Sequence, residues 1–371
     1  MIQQRADGGP SVPGAAERIS ERARELGFHA VGFARAREPL ADDYARFRAF
    51  LAAGRHGAMD YLASQPATRQ RVDSPAILEG AETVVCIAQR YDRREQPDRG
   101  EHSLTPSIAR YARGQDYHGF LRKRLGKLAA FVGGLAEGAA ARAFCDAGPV
   151  LEQAWAVRAG LGFVGKNGLL ILPGQGSWCL LGEVITTLPV AAEAYGKPIA
   201  ERCGTCTACL EACPTGAFEA PFVLDPRRCV AYLTIESQEV PPTELRRRMG
   251  DHLFGCDDCQ EVCPHNSQLV PPAPETTTPF EPHDRWNTLS LAELVTLDDR
   301  GWREVSRGTP LKRAGRVTMA RNAVLVAAHR LRQGDRAAAA VLTLGRAHDD
   351  QGVAELAGQA FAEAAKLVPL S

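Results

Sequence analysis

A chain of 371 residues is long enough for two or three domains and a sizeable core. Lys plus Arg and Asp plus Glu balance at 44 each, so no summed field favours nucleic acid, a membrane surface or an acidic substrate, and a polyanionic partner must be held by a local basic surface. Residues 1–14 lack the apolar stretch of a signal peptide, and no apolar run approaches the ~20 residues of a membrane span; a soluble, cytoplasmic, monomeric protein is expected.

Ile19, Ala23 and Leu26 share one face of a predicted helix over Ala15–Leu26, with Gly27 placed to end it. Strands are predicted at Phe28–Phe33 and Ala81–Ala88, a basic helix over Tyr117–Leu135, and short strands at Leu169–Leu172 and Trp178–Ile185. These elements describe a mixed α/β body. The cysteine-rich stretch follows, from about Lys197 to Pro271, and Pro271–Pro279 reads as a stiff polar linker. Beyond it the chain turns helical: Val324, Ala328 and Leu331 share one face, and Leu356, Ala360, Ala364 and Leu367 another, as in a small piece of α-solenoid. The fold class expected is α+β, with domains at 1–195, 196–272 and 273–371.

Eight of the eleven cysteines fall between 203 and 263. Cys203-x2-Cys206-x2-Cys209-x3-Cys213-Pro214 has the spacing of bacterial two-cluster ferredoxins, where three close thiolates hold one cubane and the fourth reaches the other cluster. Cys213 is expected to open a helical turn, with Pro214 at its first position. Cys256-x2-Cys259-x3-Cys263-Pro264, with a detached Cys229, is the degenerate second half. Pseudo-twofold logic assigns Cys203, Cys206, Cys209 and Cys263 to one [4Fe-4S] cluster and Cys213, Cys229, Cys256 and Cys259 to a second. Zinc also takes four cysteines, but its sites usually pair one CxxC with a distant CxxC. Cys86, Cys145 and Cys179, on or beside apolar runs, read as buried small hydrophobes.

Four further blocks accompany the cluster motifs: Arg110–His118, Asp146 through Gly160-Leu-Gly-Phe-Val-Gly-Lys-Asn167, Arg228–Glu236, and Phe254-Gly-Cys-Asp-Asp-Cys-Gln260. Together, over about residues 15–335, they resemble the epoxyqueuosine reductases, cobalamin-dependent enzymes of tRNA modification. The chain departs from that pattern at Ala147, Ala231 and Gly168. The resemblance implies a cobalamin-binding body, a ferredoxin-like module with two [4Fe-4S] clusters and a C-terminal HEAT-like helical domain that grips tRNA. It implies reduction of epoxyqueuosine to queuosine at the wobble position, with electrons from an external donor. Asp146 matches the family's general acid, and Asp146, Asn167, Leu170 and Asp257 lie in blocks expected to line the corrin pocket.

A free Asp is deprotonated at neutral pH, so a proton-donating Asp146 is expected to be buried against corrin and substrate. The plain structural reading is that Asp146 caps a helix. Tyr117 and His118 read first as structural hydrogen-bonders. Gly160-x-Gly162-x-x-Gly165 superficially matches a dinucleotide fingerprint but lacks the preceding strand and acidic partner; the resemblance gives it to the corrin pocket instead. Arg246, Arg247, Lys312, Arg313, Arg316 and Arg321 are the candidate phosphate contacts. Alternatives are a corrinoid iron–sulfur reductive dehalogenase and a plain ferredoxin-type electron carrier.

Overall fold

The computed structural model describes residues 12–93, 104, 107–146, 148–267 and 269–367. The chain forms two compact units, one from residues 1–93, 117–206 and 263–277, the other from 94–116, 207–262 and 278–371. Each unit is thus assembled from three separated stretches, where the sequence suggests contiguous domains. Among the described residues no helix is long and apolar enough to cross a membrane.

The first unit opens with α1 (Ala15–Glu25), β1 (Ala30–Arg35), α2 (Ala41–Ala52) and β2 (Thr83–Arg90), followed by α3 (Tyr117–Gly133), β3 (Ala141–Phe144) and α4 (Glu152–Arg158). The short hairpin β4 (Phe163–Val164) and β5 (Leu170–Ile171) leads to β6 (Cys179–Thr186). A four-stranded antiparallel sheet runs β1-β2-β6-β3. Strand side chains alternate between its faces. Val85, Ile87 and Val184 pack with Ile19 and Ala23 of α1 and Leu121, Leu125 and Leu128 of α3. Val84, Cys86, Ala88 and Ile185 face the other way, onto Trp155 and Ala156 of α4. All eight residues of β2 are buried, as a central strand covered on both faces requires.

β1 starts later than the Phe28 expected. Gly27 (φ 86) and the bond from the Phe28 N–H to the Ala23 carbonyl (3.1 Å) end α1 in a Schellman-like turn, which holds Phe28 in the α1 core. α2, β3 and α4 were not expected. α2 buries no residue fully, and Tyr44, Phe47, Phe50 and Leu51 on it are only half-buried.

Further along the chain come α5 (Ala208–Glu211), the hairpin β7 (Phe218–Ala220) and β8 (Val223–Leu224), α6 (Val230–Ile235), α7 (Thr243–Arg246) and α8 (Asp258–Glu261), all in the second unit. α9 (Pro274–Thr277) belongs to the first unit. The second unit then continues with α10 (Arg285–Thr288), α11 (Leu291–Thr296), α12 (Asp299–Ser306), α13 (Gly315–Arg332), α14 (Ala338–Gly345) and α15 (Gln351–Leu367). α13 is buried on most sides, with α11, α14 and α15 packed around it. Val324, Ala328 and Leu331 lie in that core with Leu356 and Ala360; the side chains of Ala364 and Leu367 lie outside the described residues. Ser290 and Glu293 close a capping box at α11, and Asp298 accepts from the Gly301 N–H (2.7 Å) at α12.

Two local expectations are corrected. Pro271–Pro279 is no free linker. Within the first unit the Thr276 hydroxyl meets His29 Nε2 (3.1 Å) and its carbonyl accepts from Gln89 (3.3 Å), and Thr277 is buried. In the second unit the Pro279 carbonyl accepts from the Gln115 N–H (2.7 Å). Cys213 opens a tight turn rather than a helix, closed by the Gly216 N–H on the Cys213 carbonyl (3.1 Å), because Gly216 sits at φ 60. The helical turn after a Cys-Pro occurs at the second motif, where Pro264–Asn266 is 3-10 helix.

Candidate functional site

Asp146 follows β3 and stands at φ 60, a left-handed conformation that Asp tolerates better than most residues. Its side chain is 53% exposed rather than buried, and Ala147 lies outside the described residues. It does not cap a helix: α4 starts at Glu152, with Leu151 before it and no side-chain cap. Instead the Tyr117 hydroxyl donates to Asp146 Oδ2 at 2.9 Å, and His118 Nε2 reaches the same oxygen at 2.7 Å. The two rings stack at 4.1 Å at the start of α3. From behind, the Asp146 N–H donates to Glu152 Oε1 at 2.6 Å. Tyr117 and His118 thus orient the carboxylate, a role their place at a helix start does not reveal. Glu152 was missed because a Glu opening a helix is ordinary.

None of the eight cluster-motif cysteines is in a disulfide, and neither are Cys86, Cys145 and Cys179. Cys86 and Cys145 are buried as expected, and burial raises both thiols. In the first unit Cys263 is packed with Phe163 and Ile171, and Cys203 lies against them. Lys166 donates from Nζ to the carbonyls of Gly204 (2.6 Å) and Cys206 (3.0 Å), so the Gly-Lys-Asn block holds the first cysteine loop in shape.

In the second unit Cys213, Cys229, Cys256 and Cys259 converge, each lying within electrostatic reach of another of the four. Burial pushes Cys259 up to about 12, with Cys229, Cys209 and Cys213 adding to the shift. A half-buried set of neighbouring thiols is costly to ionise together unless a cation joins them, and a metal cluster removes that cost. His252 Nε2 lies 3.9 Å from Cys256 Sγ and 3.1 Å from Asp258 Oδ2.

α13 supports this second set. Asn322 donates to the carbonyls of Thr234 (2.8 Å) and Leu253 (2.9 Å), while Arg321 donates to those of Leu233 (2.5 Å) and Ser237 (2.8 Å). These bonds fix α6, which follows Cys229, and the loop entering Cys256. Arg321 is only 2% exposed, so it cannot meet a phosphate as the sequence suggested. Burial lowers its guanidinium to about 10, still charged at neutral pH. Arg321→Ala is expected to cost about 3 kcal/mol in urea unfolding, because it strands buried carbonyls, and to weaken iron retention.

The other expected phosphate contacts divide. Arg316 is held by Asp349 (2.8 Å) and Asp299 (2.9 Å), and Arg246 by Glu363 (3.4 Å) and Gln359 (3.2 Å); both are largely covered. Arg247, Lys312 and Arg313 are each more than half exposed, paired with Glu363, Asp116 and Glu236 respectively.

The residues expected to line a corrin pocket also divide. Leu170 points into the apolar layer under α4. Asn167 is buried in the turn between β4 and β5, its Oδ1 accepting from the Leu169 N–H (3.3 Å). In the second unit Asp257 is buried, accepts from the Arg110 N–H (2.7 Å), and is raised by burial to about 6. The glycine block serves packing: a Cβ at Gly162 would lie 2.2 Å from the Ile171 carbonyl oxygen, which explains the glycine without any dinucleotide. Gly168 (φ 77) has open space around it.

Two families match the chain: a 4Fe-4S double cluster binding domain over residues 202–266, and epoxyqueuosine reductase QueG, DUF1730, over residues 71–147. The epoxyqueuosine reductase of Gloeobacter violaceus is 39% identical over 318 residues, covering 84% of this chain and 95% of the relative. That of Pseudomonas aeruginosa is 39% identical over 317 residues, covering 84% and 85%. The chain belongs to the epoxyqueuosine reductase family. A solved family member bound to an epoxyqueuosine-modified tRNA-Tyr stem loop superposes with a TM-score of 0.83 at 28% identity, covering 95% of this chain and 91% of that one. The solved Bacillus subtilis enzyme, recorded with its catalytic aspartate loop swung out of the active site, gives 0.82 at 28% identity, covering 95% and 91%. The matched QueG span includes Tyr117, His118 and Asp146, and the cluster-domain span includes all eight motif cysteines.

Proposed function

We propose that this chain reduces epoxyqueuosine to queuosine at the wobble position of tRNA, with Asp146 donating a proton to the departing epoxide oxygen. The observation that carries this is the Asp146 carboxylate, half open to solvent on a left-handed turn and gripped at one oxygen by Tyr117 and His118. Bound cofactor and substrate would cover this exposed carboxylate and supply the burial that a proton-donating Asp146 needs. The swung-out aspartate loop of the Bacillus subtilis relative supports a donor carried on a loop. A plain electron carrier would leave this arrangement without a use.

The clusters are assigned as Cys203, Cys206, Cys209 and Cys263 for one, and Cys213, Cys229, Cys256 and Cys259 for the other, on motif spacing. Convergence of the second four supports that half. Two places leave room for a large cofactor: the Asp146 carboxylate is exposed, and Gly168, next to Asn167, has nothing within 4 Å of a would-be Cβ. Bound cobalamin supplies the strongly reducing centre that carbon–oxygen cleavage needs and no side chain provides. Asn167, buried and hydrogen-bonded, is suited to shaping a wall rather than moving protons.

By function the chain divides into a cobalamin-binding part (1–195), a di-cluster part (196–272) and a HEAT-like tRNA-gripping part (273–371). The packing of α11, α14 and α15 about α13 supports the last. An external donor supplies the electrons. Arg247, Lys312 and Arg313 are the phosphate contacts retained. Replacing all three by Ala is expected to weaken tRNA binding and reduce the dependence on log salt by about two to three, in a filter-binding salt series.

The direct test is mass spectrometry of tRNA from a strain lacking the gene. Epoxyqueuosine should accumulate, and restored queuosine should follow re-expression. Unchanged queuosine in the deletion strain would refute the assignment.

A further inference from the structure

In the second unit, the stretch of chain entering Cys256 is pinned at alternate residues. Asp251 accepts from Arg330 Nε at 2.7 Å and Nη2 at 2.9 Å, and from the Ser107 hydroxyl at 2.8 Å. The Leu253 N–H donates to the Ser107 carbonyl at 2.8 Å, and the Leu253 carbonyl accepts from Asn322 at 2.9 Å. The Gly255 N–H donates to the Thr234 hydroxyl at 2.9 Å. His252 stands between the first two anchors, so its backbone is fixed. Its ring is fixed too: Nε2 meets Asp258 Oδ2 at 3.1 Å and Cys256 Sγ at 3.9 Å. A carboxylate oxygen only accepts, so Nε2 carries the hydrogen, which the carboxylate and the sulfur share.

The reaction proposed above consumes two electrons, and a cubane passes them one at a time. The first must therefore wait for the second. We propose that His252 makes the second cluster the place where it waits, by donating its N–H to the Cys256 sulfur. In that step one electron passes from the external one-electron donor to the cluster; no bond forms or breaks and no proton moves. The added charge spreads onto the thiolates. A donor aimed at one of them stabilises the reduced state more than the oxidised one, and so raises the potential. His252 acts through Cys256, so it is a positioning residue.

Backbone N–H groups reach these sulfurs as well. Ala217 donates to Cys213 at 3.2 Å, Ala231 and Tyr232 donate to Cys229, and Asp258 donates to Cys256. Those bonds come with the turns that wrap the cluster and cannot be changed without changing the wrap. His252 is a side chain, held from both neighbours and aimed by Asp258. It can be exchanged with the wrap intact.

This inference rests on Cys256 as a ligand of the second cluster, and the test separates the two. Dithionite titration of the anaerobically loaded full chain, followed by EPR, gives the midpoint potential of each cluster. His252→Phe keeps a ring and removes the N–H. It should shift one of the two one-electron equilibria about tenfold towards the oxidised state, a fall of about 59 mV, and leave the other in place. Iron should stay at about eight per chain. His252→Gln restores a side-chain N–H and should recover most of the shift. In pulsed EPR of the reduced wild type, ¹⁵N-histidine should alter a coupling that His252→Phe removes. Unchanged potentials in His252→Phe at full iron, or an equal fall in His252→Gln, overturns the tuning role. If His252→Phe loses iron or fails to fold, the wild-type ¹⁵N coupling decides, and its absence overturns the contact. A Cys256→Ala chain that keeps about eight irons overturns the ligand assignment instead.

Discussion

Cys259→Ala is expected to cut iron from about eight to about four per chain and to abolish epoxide removal. Cys259 is the second cysteine of the last motif and sits on α8, and its thiol lies within electrostatic reach of Cys229 and Cys213. Without it the remaining three thiols cannot complete a cubane, and removing metal leaves a half-buried set of like groups that resist ionising together. Iron analysis, the visible absorbance of the cluster and turnover measure the result. The same substitution at Cys179, half-buried on β6 beside an apolar layer, should leave iron unchanged. Equal iron in Cys259→Ala and wild type would remove it from the ligand set.

Asp146→Asn keeps the shape of the side chain and the positive φ, yet removes the titrating proton. Turnover should drop about 10²- to 10⁴-fold, the usual contribution of a positioned acid. Iron content and tRNA affinity should stay at wild-type values, because no cluster ligand or retained phosphate contact is touched. His118→Ala and Tyr117→Phe each remove one grip on Oδ2 and should cost less, about tenfold. A fully active Asp146→Asn would place the donor elsewhere.

Much of the chemistry was legible because it is written in local spacing. The cysteine motifs need only the chain's own geometry to wrap a cubane, so the spacing from Cys203 to Cys263 was enough to point to a double-cluster domain. The helices α1 and α3 and the strands β2 and β6 were legible for a similar reason, since apolar periodicity is local. Short or two-sided elements were not: α2 and β3 bury little, and α4 is only seven residues long. Cations misled the reading most. Arg321 looks like any basic residue opening a helix, and only the approach of the Leu233 and Ser237 carbonyls, more than eighty residues away in sequence, makes it a buried strut.

The ferredoxin-type cysteines with their two clusters, and the family to which they and the Asp146 block point, were thus determined by sequence, because thiolate spacing and motif order are one-dimensional. Tertiary structure decided what Asp146 does with its neighbours. Tyr117, His118 and Glu152 meet it only through the folding of α3 and α4 around β3, and Glu183 stands without a hydrogen-bond partner among the described residues because β6 is central and covered. Proton affinity depends on burial and on groups distant in the chain, and neither quantity exists until the chain has folded.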